Sequence, residues 1–193
     1  MKFPIDIVGR VLVLTPQLRI LDADGTLRLY VKQKMFRLRE KVEVYLDEDR
    51  KQLAYTMKAD RILDFSVNYT VTNNQDQIIG EIGRKGLRSL WRAHYEITRD
   101  GQSVATVREE NAWIKVLDGL LDSIPVVGAA AGFFLHPKYI VTNPAGKEII
   151  RLSKRASFIE RRYTIDQLSP VGTDEELIVV SLMMLVLLDG QRG

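Results

Sequence analysis

Asp174-Glu-Glu-Leu-Ile-Val-Val-Ser-Leu-Met-Met-Leu-Val-Leu-Leu-Asp189 is the stretch that decides the fold. From Leu177 to Leu188 every residue except Ser181 is apolar, so the segment offers no polar face to water. A helix that is apolar all round has to be enclosed by protein or by lipid. Twelve residues at 1.5 Å each span about 18 Å, well short of the ~30 Å hydrocarbon core of a bilayer. The expectation is therefore a central core helix rather than a membrane anchor. Thr173 is placed to cap its start, with Glu176 at the third position of a capping box and Asp174 and Glu175 at the positive helix end. Gly190 follows the last apolar turn, where a left-handed residue commonly closes a helix.

What encloses such a helix is legible in the preceding sequence, which repeats one unit. Leu18–Leu21, Val42–Leu46, Tyr69–Thr72, Tyr95–Thr98 and Tyr139–Thr142 each lead into a turn of Asp, Asn, Gly or Pro residues. The turns are Asp22-Ala-Asp-Gly25, Asp47-Glu-Asp-Arg50, Asn73-Asn-Gln-Asp76, Arg99-Asp-Gly101 and Asn143-Pro-Ala-Gly146, and a second β-type run follows each. That is the signature of a β-hairpin. Alternation sets the faces: Leu27, Leu29 and Val31 against Arg28, Tyr30 and Lys32, then Val42, Val44 and Leu46 against Glu43 and Tyr45. Tyr163, Ile165 and Leu168 read as a last strand before Pro170 and Gly172 release the chain into the helix. A curled antiparallel sheet removes its exposed edges by closing into a barrel. About twelve strands enclose more space than their own side chains fill. An apolar helix of matching length supplies the missing filling.

Length and composition agree with this reading. The 193 residues are 46% hydrophobic and 27% charged, ordinary for one folded domain over residues 1–193. Such a domain buries about 70% of its unfolded surface. A net charge of +3 does not by itself call for nucleic acid, and no nucleic-acid-binding motif occurs. Cysteine is absent, which excludes a disulfide framework and suits a cytoplasmic protein, in solution or peripheral at a membrane. Charged residues within Met1–Arg10 argue against a signal peptide.

The repeated hairpins, Tyr30-Val-Lys-Gln-Lys34 at the end of the first, and the final apolar helix resemble the LURP-one-related proteins. These belong to the tubby C-terminal-like superfamily, which also holds the phospholipid scramblases. The resemblance covers nearly the whole chain. It implies a mainly β protein, a closed antiparallel barrel of about twelve strands threaded by a buried C-terminal helix, and a role near membranes or phosphoinositides. The Pro-rich N-terminal segment and palmitoylated cysteine cluster of scramblases have no counterpart here, so scrambling ranks below binding.

Residues 111–137 break the repeat. Trp113, Val116, Leu117, Leu120 and Leu121 share one helical face, and Val126–Leu135 contains only small and apolar residues. The bland reading of this 113–135 insert is a helical cover over one barrel end. The sharper one is a contact for a second copy, a protein partner or lipid, through Gly128, Gly132, Phe133 and Phe134, since glycines four apart let helices approach closely.

Catalytic and metal motifs are not found. His94 and His136 are far apart and outside any metal-ligand spacing, no Gly-x-Ser-x-Gly elbow occurs, and Gly80–Gly86 lacks the Walker spacing. Asp22–Gly25 reads as a turn rather than a calcium loop. Asp60 and Asp64 read as a solvated pair beside Arg61 rather than an acid/base couple. The expectation is a protein without enzyme activity, metal or cofactor. Three basic clusters remain. Lys32, Lys34, Arg37 and Arg39, continuing to Lys41, form the first, and Arg84, Lys85, Arg88 and Arg92 the second. Lys154, Arg155, Arg161 and Arg162 form the third. Each has an ordinary reading as a solvated sheet face interrupted by Glu40, Glu43 or Glu160. The first two are the candidates for anionic lipid phosphate, each cation contributing on the order of 1 kcal/mol at an anionic membrane. The expected function is binding or scaffolding at a membrane surface, with a structural or partner-binding module built on the insert as the alternative.

Overall fold

The computed structural model describes residues 1–10, 17–32, 41–60, 68–84, 94–110, 138–157 and 160–189; at 84, 94 and 189 the description is of backbone alone. Among these residues twelve strands follow in order: β1 (Ile5–Arg10), β2 (Gln17–Leu21), β3 (Leu27–Lys32), β4 (Lys41–Tyr45), β5 (Leu53–Ala59) and β6 (Asn68–Asn73). The second half is β7 (Ile78–Arg84), β8 (His94–Arg99), β9 (Gln102–Glu109), β10 (Lys138–Thr142), β11 (Glu148–Arg155) and β12 (Glu160–Gln167). Each pairs antiparallel with its neighbour in sequence, and β12 returns to β1, so the sheet is a closed barrel. The helix α1 (Glu175–Asp189) comes last.

All five expected hairpins form, and four of them are built alike. Asp22, Asp47, Asn73 and Asn143 each accept at the main-chain carbonyl from the amide three residues on. The last residue of that turn is left-handed in each case, glycine at 25 and 146 but Arg50 and Asp76 in the other two, at φ 60° and 57°. Asn73 and Asn143 also accept through Oδ1 from the amides of Gln77 and Lys147, at 3.0 and 2.9 Å. Just before every turn the register slips by one residue, after Ile20, Val44, Val71, Ile97 and Val141. A bulge bends and twists a strand. Five at the same level curl the sheet until its edges meet.

The structure departs from the sequence expectations at three apolar positions. Leu46 follows a bulge, falls outside β4 and is 48% exposed, and Leu168 lies past the end of β12 at 39%. Tyr30, expected on the wet face of β3, is buried because its cross-strand partners Arg19 and Tyr45 flank it on both sides.

Side chains of one strand face fill the interior with α1 at its centre. Ile5, Ile7, Ile20, Val31, Val71, Ile97 and Leu152 on the wall, and Leu177–Leu187 on the helix, belong to one buried cluster. Ser181, also buried, leaves its hydroxyl without a hydrogen bond. The helix and wall touch closely at Gly80, where a β-carbon would stand 2.5 Å from Leu177 Cδ2 and 2.5 Å from the Thr98 carbonyl oxygen.

The helix start differs from the expected capping box. Gly172–Asp174 make a 3-10 turn capped by Val171, with no side-chain cap. The three acids instead reach the wall: Asp174 pairs with Arg99 at 2.9 Å, Glu175 with the amino group of Met1 at 2.6 Å, and Glu176 accepts from the Tyr55 hydroxyl. Gly190 lies outside the described residues, as does the 113–135 insert.

Candidate functional site

The alternating strand directions give the barrel two unlike ends. At the turn end lie the five hairpin turns, the start of α1 and the close of β12. At the opposite, connection end, each hairpin gives way to the next, and there β3 and β4, β7 and β8, and β9 and β10 have their outer limits.

Charge is divided between these ends. The turn end exposes Asp24, Glu48, Asp49, Asp76, Asp100, Glu148 and Glu176, with Arg28, Arg50, Lys51 and Lys147 exposed among them. Some of this charge is locally balanced: Arg19 grips Glu48 through two bonds of 2.7 and 2.9 Å, and Lys2 lies 3.2 Å from Asp24. Asp24 is held down to about 2 by the Thr26 hydroxyl and amide and by Lys2. The connection end exposes Arg10, Lys32, Lys41, Lys58 and Lys138, and, at the β11–β12 junction, Arg155 and Arg162. Against them stand Asp60, Glu109, Glu110 and Glu160 among the described residues.

Strand register sharpens the contrast. Lys41 is the direct cross-strand partner of Lys58, and Arg155 of Arg162. Like charges directly opposite one another in a sheet are destabilising. Only part of this repulsion is answered within the described residues. Lys41 Nζ lies 2.8 Å from Glu43, whose carboxyl is held below its usual range by Lys41 first and the Tyr45 hydroxyl second. Arg162 lies 3.0 Å from Glu160. Arg10, Lys32, Lys58, Lys138 and Arg155 have no carboxylate partner among the described residues.

The expected site residues divide accordingly. Lys32 ends β3 exposed at this rim, and Arg84 ends β7 there by its backbone. Lys34, Arg37, Arg39, Lys85, Arg88 and Arg92, and the contact residues Gly128, Gly132, Phe133 and Phe134, lie outside the described residues. The flanking strands of both basic segments end on the cationic rim. Reading by local density missed Arg10, Lys58 and Lys138, single cations on separate strands that only barrel closure gathers. Their signal in sequence is position: each stands at the strand end away from a hairpin turn.

Among the described residues no cluster of three or more His, Asp or Glu is arranged to hold a metal ion. No helix there is long and apolar enough to cross a membrane.

A search of curated proteins and a search of solved structures each give no match. The family model described as LURP-one-related matches residues 27–185, from the first residue of β3 into α1. With that match over most of its length, and with the helix-threaded barrel in place, the chain belongs to the LURP-one-related family.

Proposed function

We propose that this protein binds anionic phospholipid, phosphoinositides included, at a membrane surface through the connection end of the barrel, and that it does so without catalysis. The observation that carries this reading is the set of like-charge cross-strand neighbours at one end of a molecule whose other end is acidic. A sheet that keeps Lys opposite Lys and Arg opposite Arg gives up stability on folding and recovers it when an anion sits between them. Opposite charge at the two poles turns the cationic end toward a negative surface before contact. Exposed Lys and Arg each contribute about 1 kcal/mol there. The membership of the superfamily that the hairpins and helix resemble points the same way.

Cosedimentation with vesicles tests it. Vesicles of phosphatidylcholine are compared with vesicles containing phosphatidylserine or phosphatidylinositol bisphosphate, at roughly physiological ionic strength. The protein is expected to pellet with the anionic vesicles and stay in solution with the neutral ones. Lys32→Gln, Lys58→Gln and Lys138→Gln are each expected to weaken binding about fivefold. Equal behaviour on neutral and anionic vesicles overturns the reading.

A further inference from the structure

The barrel wall is not joined equally well all the way round. Among the described residues every other pair of neighbouring strands shares four or more paired positions. β3 and β4 share one, Tyr30 with Tyr45, and make the least contact of any two neighbours. The strands themselves run further. β3 continues through Val31 and Lys32, paired to Leu18 and Gln17 of β2, and Lys41 to Val44 of β4 are paired to β5. Each strand is therefore held on its far side. The register at Tyr30 sets Val31 opposite Val44 and Lys32 opposite Glu43, yet no ladder pairing joins either couple. Residues 33–40, which connect the two strands, lie outside the described residues.

What ties this seam lies at its turn end. Arg19 stands on β2 directly beside Tyr30, and Glu48 lies in the turn between β4 and β5. Their two bonds, of 2.7 and 2.9 Å, thus reach past β3 and across the seam, with the buried Tyr30 between the strands they join. A two-bond arginine–carboxylate pair fixes geometry as well as adding energy. Nearer the connection end, Glu43 accepts from Lys41 and Tyr45, both on its own strand.

We infer that the β3–β4 seam is a built-in opening of the barrel: the two strands part from the connection end, with Tyr30–Tyr45 as the hinge and Arg19–Glu48 as the latch. A stretch with few shared backbone hydrogen bonds opens at a lower free energy than the whole fold. The side chains behind it are apolar. Val31, Val42 and Val44 are fully buried in the same cluster as α1. Opening uncovers them beside the exposed Lys32 and Lys41, while the rest of the wall stays shut. The opening belongs to the free protein and stands whether or not lipid binds at the rim.

Hydrogen exchange read by mass spectrometry on the full chain tests this. In wild type, part of the amides in β3 and in β4 are expected to exchange about tenfold faster than those of β8, β9 and β11. Glu48→Gln is expected to speed exchange in β3 and β4 about threefold and to leave β8, β9, β11 and β12 unchanged. The sequence has no cysteine, so Val31→Cys with Val44→Cys places a lone thiol pair across the seam. Ile20→Cys with Leu29→Cys does the same across the well-paired β2–β3 boundary and serves as the control. Oxidising the first pair is expected to remove the fast exchange in both strands; oxidising the control pair is expected to leave β4 fast. Exchange in β3 and β4 no faster than in β8 and β9 overturns the opening. A Glu48→Gln variant that exchanges faster everywhere alike also overturns it, because Arg19–Glu48 would then support the whole fold. Fast exchange that survives oxidation of the seam pair counts against it in the same way.

Discussion

Tyr55 shows how much one side chain at the turn end has to do. Its ring faces the core from β5, and its hydroxyl donates to Glu176 at the start of α1. Burial first, and the Glu176 carboxylate second, push its phenol well above the ordinary range. The folded protein therefore holds this proton more tightly than the unfolded chain. The resulting stability is complete below the ordinary phenol pKa of about 10 and is lost as pH rises toward the higher folded value. Thermal melts of wild type are expected to drop steeply above about pH 10, and those of Tyr55→Phe to start lower and drop less steeply. Parallel pH curves for the two proteins would remove Tyr55 from this role. The neighbouring acids teach a related lesson. Asp174 and Glu176 look like capping residues in sequence, but their partners Arg99 and Tyr55 are far away along the chain. Nothing local could have disclosed that.

Among the elements, α1 and the five hairpins were legible because each is specified locally, by a run without polar residues or by a turn between alternating strands. β1 was not. It has the alternation of Ile5 and Ile7, but it lacks a hairpin of its own kind, and one of its partners is β12, with Ile5 opposite Ile165. The bulges were hidden for a different reason: nothing in a residue such as Val44 or Val71 says that the register slips after it. Fit between helix and wall is likewise invisible in sequence, and Gly80 is where it matters most. Gly80→Val drives a side chain into Leu177 and into a carbonyl of β8, so the wall or the helix has to yield. Overpacking of this kind costs about 1–3 kcal/mol, read as a lower urea midpoint with an unchanged slope. A midpoint equal to that of wild type would show that the contact at Gly80 is slack.

For the whole molecule, charge polarity sets the proposed lipid binding against stability. Lys58→Glu replaces a Lys41–Lys58 opposition with an attraction, and cross-strand pairs of this sort are worth about 0.2–1 kcal/mol. The variant is expected to melt higher than wild type at low salt and to bind anionic vesicles less. Both differences are expected to shrink as salt rises, because exposed charges are screened. A variant that melts lower, or binds as well as wild type, would contradict this. The sequence clusters mark segments that flank this end, but local density passes over Arg10, Lys58 and Lys138, since a closed barrel collects cations one strand at a time.

The closure of β12 on β1 around α1 also governs how the protein can be made. Neither the wall nor its filling is complete until residues near 189 have left the ribosome, because the strand that seals the sheet and the helix that occupies it come last. Until then the growing chain presents half-finished hairpins with greasy inner faces and open edges, the condition in which chains aggregate. Contacts between such distant parts also form slowly. A ribosome stalled just before α1 would thus hold a barrel unable to shelter its own interior.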